Sequence, residues 1–325
     1  MRNACLLRVI LLAGCLANDP CPLSALPLQR ADVPAAPAWV LHVDCDKLRP
    51  SAMGQYLLEG MEKPEIRARL GAFWAALQLD PRKHLRGLTL YGRADAPADG
   101  TLLVYGDFQA GQLERAARAA KDHLTTPYQK HRIHQWLDTS GNRNPSAEQR
   151  VYGAMHHQRV IILSRQETNV AHALDVLDCT VRSLRESGQC AQLGNQAGSV
   201  FLQAAATKVE PLPVHPATII LRLARAARLE MSEASDRFTA TLSLEADGNA
   251  TATQILSAGQ ALLKLVKLQP NAASAMRLIS AINLKQQGSE VEATLAASAS
   301  EIIALLKNEG SQPESKQPKP SSPNN

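Results

Sequence analysis

Three ionisable side chains sit at alternate positions near the start of the folded region: His42, Asp44 and Asp46. In a strand, a period of two places all three on one face, opposite Leu41, Val43 and Cys45. One imidazole and two carboxylates could hold a metal ion or perform acid–base chemistry. Alternation alone produces the same pattern on the solvent face of a half-buried strand, and that plainer reading is preferred. His131 and His134 have a spacing that suggests chelation, but in a strand residues three apart point to opposite faces. The same objection applies to His156 and His157. A pair from different strands, such as His134 with His156, stays open.

Arg115, Arg118 and Lys121 follow at i+3 steps and read as a solvated helix face, or as a patch for an anionic polymer. Ser140-Gly141-Asn142 reads as a turn, because the partner motifs of serine acyl-enzymes are missing. The chain contains no Walker A loop, G-x-S-x-G elbow, H-E-x-x-H or EF-hand loop. No residue is assigned as catalytic, cofactor-binding or metal-ligating, and no cofactor is expected. Of the six cysteines, Cys45 reads as a small buried hydrophobe. Cys179 and Cys190 flank a polar loop and could form a disulfide in an exported protein; two free thiols are the other reading. No C-x-x-C occurs, which argues against a thioredoxin-like motif or zinc ribbon.

The elements that would position these groups follow from periodicity. Ile282, Leu284 and Gln286 alternate, Gly288-Ser289 breaks the run, and Val291, Ala293 and Leu295 alternate again. This is a hairpin, joined where glycine supplies positive φ. Ser298-x-x-Glu301 then has the form of a capping box before Ile302, Ile303, Leu305 and Leu306 at helical spacing. Strand, strand, helix recurs at Val151–Leu177, with a second S-x-x-E pattern at Ser164-x-x-Glu167. It also recurs at Leu85–His123. The pattern predicts four such units, two per half, each half introduced by a lone strand, Trp39–Cys45 or Val200–Thr207. The expected class is α+β: antiparallel sheets with helices packed on one side, built from repeated hairpin-plus-helix units in two similar halves.

The chain has 325 residues, enough for about two domains. The expected division is 1–17 export signal, 18–37 tether, 38–195 first half, 196–308 second half and 309–325 disordered tail. The tail is Ser, Pro, Lys, Gln and Asn, too polar to offset the entropy of ordering. A net charge of +5 is mild for this length, and with 4% aromatic residues there is little to stack bases, so no nucleic-acid partner is expected. No apolar run is long enough for an internal transmembrane helix.

Arg2 and Arg8, the apolar Val9–Leu12 and the small Ala13 and Gly14 form a secretory signal pattern. Leu12-Ala13-Gly14-Cys15 resembles the lipobox of bacterial lipoproteins, which implies Cys15 as the lipid attachment residue and new N-terminus. Cleavage after Ala17 or Ala25 is the alternative, and a buried cytosolic segment the plain one. The same start, with Trp39-Val40-Leu41-His42-Val43-Asp44, Leu88-Thr89-Leu90-Tyr91-Gly92 and Ile133-His134-Gln135-Trp136, resembles a family of uncharacterised exported bacterial proteins over roughly residues 32–308. The resemblance implies export and carries no catalytic residues. The expectation is a periplasmic or outer-membrane-anchored, non-enzymatic binding or scaffolding protein. It would meet an envelope partner or ligand, and the membrane through a lipid on Cys15. The alternative is an envelope hydrolase or metal-dependent enzyme using His42, Asp44 and Asp46.

Overall fold

Alternating apolar runs become strands, and each ends where a turn residue or a helix start interrupts it. In the first half these are β1 (Trp39–Asp44), β2 (Leu85–Gly92), β3 (Thr101–Gly106), β4 (Leu124–Tyr128), β5 (His131–Asp138), β6 (Gln149–His156) and β7 (Val160–Ser164). Helices α1 (Cys45–Leu48) and α2 (Ala52–Met61) follow β1, α3 (Gln112–Arg118) follows β3, and α4 (Glu167–Leu177) follows β7. The second half has β8 (Val200–Ala206), β9 (Ala224–Ala234), β10 (Arg237–Ala246), α5 (Asn249–Lys267), α6 (Ala273–Ser280), β11 (Ile282–Gln287), β12 (Glu290–Ser298) and α7 (Ala299–Glu309). The structure is a computed structural model, and it describes residues 26–64, 79–93, 99–109, 111–138, 149–190, 193, 198–207, 220–267 and 273–309. The signal with Cys15, the Ser140 loop and the tail beyond 309 lie outside the described residues.

All described strands join one antiparallel 12-stranded sheet, in the order β11-β12-β10-β9-β8-β1-β2-β3-β7-β6-β5-β4. The two lone strands, β1 and β8, meet at its centre, with Val40 opposite Ala205 and His42 opposite Gln203. Outward from them each half repeats the same sequence of pairings: first one hairpin, then a second hairpin in reversed order. The α+β class and the duplicated hairpin-plus-helix unit are thus both present. The β4–β5 hairpin extends the first half only.

Helix placement follows from strand parity. Leu103 and Val104 are neighbours on β3 and point to opposite faces. Leu103 packs with Ile162, Ile133 and the α4 residues Val170, Ala173 and Leu174. Val104 packs with Ile161 and the α3 residues Leu113 and Ala116. The register carries the α3 face across the sheet through Leu88, Val43, Leu202, Met231 and Ala240. There α2 and α7 contribute Met53 and Ile302 to a core with Phe201 and Phe238. On that same face α5 sets Ala252 and Ile255 against Leu244 and Val291. Most described helices therefore share one face, and α4 covers the other in the first half alone.

Two local expectations need correction. Ser298 Oγ does accept from the Glu301 amide at 3.3 Å, as a capping box requires. Ser164 does not cap α4: its hydroxyl donates to the Gly100 carbonyl at 3.1 Å, and Gln166 stands at the helix start without a side-chain cap. Residues 26–37, read as tether from their Pro and Ala content, are part of the fold. Leu28 and Val33 are fully buried in the α4-side core, and the Leu184 amide donates to the Val33 carbonyl at 2.7 Å.

Candidate functional site

The His42, Asp44 and Asp46 constellation does not assemble. On β1 the buried positions are Val40, His42 and Asp44, while Trp39, Leu41 and Val43 are half-buried. The face read as solvent-exposed is the one that α4 and the 26–37 segment enclose. His42 is 2% exposed; its Nδ1 lies 2.9 Å from Thr89 Oγ1 and its Nε2 3.0 Å from the Leu26 carbonyl. Both ring nitrogens are occupied, and burial pushes the imidazole down to about 4. Asp44 ends the strand and caps α1: its Oδ1 accepts from the amides of Asp46 and Lys47, each at 3.1 Å. Burial raises its carboxyl above the ordinary value, against the pull of those amides and Lys47. Asp46 belongs to α1, where it pairs with Arg49 at 3.1 Å and Arg86 at 3.3 Å. The strand period fails at Asp44, so the third member leaves the face.

A different set converges. His131 opens β5, His156 closes β6 and Asp178 follows α4. The carboxylate of Asp178 bridges the two imidazoles: Oδ2 is 2.8 Å from His131 Nε2 and Oδ1 is 2.9 Å from His156 Nε2. Lys130 Nζ also reaches Oδ1, at 3.0 Å. All three side chains of the set are at most 10% exposed. Burial alone would raise the Asp178 carboxyl; hydrogen bonds from His131, His156 and Lys130 outweigh it and hold the group well below the carboxylate range. Burial lowers His156, against the pull of Asp178, and His157 stacks edge-on against it at 4.1 Å between centroids. His134 takes the opposite face, as the strand rule requires. Its Nδ1 lies 3.2 Å from His123 Nε2 and 3.1 Å from Thr125 Oγ1. The cross-strand pair is thus His131 with His156, not His134 with His156.

Beside this set a cleft of about 550 Å³ opens at the ends of β3 and β7. Arg86, Tyr105, Asp107, His156 and Arg159 line it from the sheet, and Leu26, Gln29 and Asp32 from the N-terminal segment. Tyr105 is 5% exposed, and its hydroxyl faces Asp32 and Thr89 without a well-formed hydrogen bond to either. Burial raises the Asp32 carboxyl, against the Tyr105 hydroxyl and the Arg159 charge. The sequence reading missed this cleft. Its lining comes from distant segments, and no spacing rule links Asp32 to Arg159.

The remaining candidates separate. Helix α3 ends at Arg118, so Lys121 does not continue the Arg115–Arg118 stripe. Arg118 pairs with Glu114, as does Arg132 at 3.4 Å. Cys179 and Cys190 are free thiols, one exposed and one half-buried, and the disulfide considered between them is not formed. Cys45 is half-buried at the start of α1, its thiol pushed up to about 12 by burial. Among the described residues no helix is long and apolar enough to cross a membrane.

No family model and no curated protein matches the sequence. Four chains among solved structures do match. Crystal form III of TP0453 aligns with a TM-score of 0.49 at 11% identity, over 88% of this chain and 99% of that one. Crystal form I of TP0453 aligns with a TM-score of 0.44 at 11% identity, over 88% and 98%.

Proposed function

We propose that the protein is an exported, non-enzymatic binding module of the bacterial cell envelope, anchored through a lipid on Cys15, with a polar ligand held in the Tyr105 cleft. The observation that carries the cleft in this reading is the buried Tyr105 hydroxyl, beside Asp32 but without a well-formed hydrogen bond, on a wall that also presents Arg86 and Arg159. A buried hydroxyl left unpaired costs about 1–3 kcal/mol, so it marks a position where a ligand's polar group would be gained. The only acid–base constellation legible in the sequence is occupied by structural bonds. The anchor and the cleft are also close along the chain. Leu26 lines the cleft, and the 11 steps from Cys15 to Leu26 span at most roughly 40 Å when extended.

Two measurements on protein from its native host test this. Intact mass should show a chain beginning at Cys15 and carrying acyl groups. Native mass spectrometry should show a small molecule retained by the mature protein and lost on Arg159→Glu substitution. A chain that starts at Met1, or saturable turnover of the retained molecule, would overturn the reading.

A further inference from the structure

We propose that His131, His156 and Asp178 form a binding site for a divalent first-row cation, Zn²⁺ foremost. The site goes beyond the envelope-binding reading and does not depend on it. The three donors, two imidazole nitrogens and one carboxylate, lie within 4.8 Å of one another. A tetrahedral Zn²⁺ with bonds of about 2.0–2.2 Å sets its ligand atoms somewhat over 3 Å apart. His131 and His156 reach different oxygens of the carboxylate, at 2.8 and 2.9 Å, so a cation bound through one oxygen opens that contact slightly and draws the other imidazole in. Each imidazole moves its proton to Nδ1, and the Nε2 lone pair faces the ion. Lys130 has room to swing away from Asp178, because its side chain is 63% exposed.

Two features indicate a purpose beyond holding the helix. An acid at a helix C-terminus meets the negative end of the dipole, so Asp178 is the wrong charge for capping α4. Two of the three ligands come from elements without a counterpart among the described residues of the second half: the β4–β5 hairpin, and a helix packed on this face of the sheet. Three protein ligands leave a coordination position free. His156 lines the cleft, so that position is within reach of water.

The test is titration of the full chain with Co²⁺, followed by Zn²⁺ competition. The expected result is one Co²⁺ per chain with d–d absorption, no thiolate-to-cobalt charge transfer, and displacement by Zn²⁺. His131→Gln and Asp178→Asn should each weaken binding by at least about 100-fold, beyond the usual loss of an outer-shell partner. His134→Ala should leave affinity unchanged. Circular dichroism without metal shows that each variant is folded, and the conservative Asp178→Asn separates a lost ligand from a lost fold. Unchanged affinity in the folded variants, a thiolate band, or an equal loss in His134→Ala would overturn the site and leave the trio as a hydrogen-bonded latch.

Discussion

Asp178 Oδ1 lies 2.9 Å from Nε2 of His156, a residue 22 positions earlier in the chain, so the end of α4 is tied to the end of β6. His131 makes the same tie to β5 at 2.8 Å, and Tyr128 and Gln129 hold Asp175 one turn before, each at 2.9 Å. The side chain of Asp178 is 6% exposed, so its bonds are screened less than those of surface pairs. Asp178→Ala should destabilise the metal-free protein by about 2 kcal/mol, the usual range for hydrogen bonds to a charged group. Urea unfolding with chelator present measures this. Asp175→Ala, at a more open position, should cost less, and an equal cost would show that the two ties are not distinct.

What the sequence makes legible here is the periodicity. The hairpins of the repeated units and the lone strands β1 and β8 follow from alternation, because one buried face per strand is enough to mark a strand; the β4–β5 hairpin and the order of strands in the sheet do not. His131 and His134 on opposite faces follow from the same rule. The rule fails where both faces are covered. His42 sits on the central strand under α4 and the 26–37 segment, and a polar residue in such a place looks like a surface residue in sequence. Leu28 and Val33 are hidden for a similar reason: two apolar residues in a Pro- and Ala-rich stretch have no period. Asp178 is further out of reach. Its meeting with His131 requires the register of β5 on β6 and the passage of α4 to the opposite face from α3, and neither is a local property of the chain.

His42 makes stability dependent on pH. Its folded value is about 4 against an ordinary 6.5. Between those values the unfolded chain takes up a proton that the folded chain refuses, so its stabilising effect is full above the unfolded value and declines as pH falls toward 4. One group moved this far is worth on the order of 3 kcal/mol. His134 and His156 are also lowered by burial and act in the same direction. Urea midpoints at about pH 7 and about pH 4.5 should therefore drop in the natural protein, and His42→Gln should remove about 2 kcal/mol of that drop. An equal drop in both proteins would place the dependence on other groups.

Asp44 distinguishes a cap from a catalyst. Its Oδ1 accepts the first amides of α1, while its Oδ2 is buried and 3.9 Å from Lys47 Nζ. Asp44→Ala should cost about 1–2 kcal/mol, the loss of a helix cap. Asp44→Asn keeps the accepting oxygen and should restore most of that. Thermal unfolding of the two variants decides between the roles: a capping residue is rescued by asparagine, whereas one needed for its negative charge is not.

Tyr105 should show a trade between stability and binding. Its ring packs in the α4-side core, and its hydroxyl lies at the cleft beside Asp32 without a well-formed hydrogen bond. Tyr105→Phe keeps the ring, removes the orphaned group and leaves no cavity larger than one oxygen atom. Removal of an unsatisfied buried hydroxyl should leave stability unchanged or raise it by up to about 1 kcal/mol. The ligand retained from the native host, if it bonds to that hydroxyl, should bind about 10-fold more weakly, one hydrogen bond's worth. Thermal unfolding and competition binding on the same preparation measure both. A loss of stability in Tyr105→Phe would mean that the hydroxyl has a structural partner, and the cleft would lose the feature that marks it as a binding site.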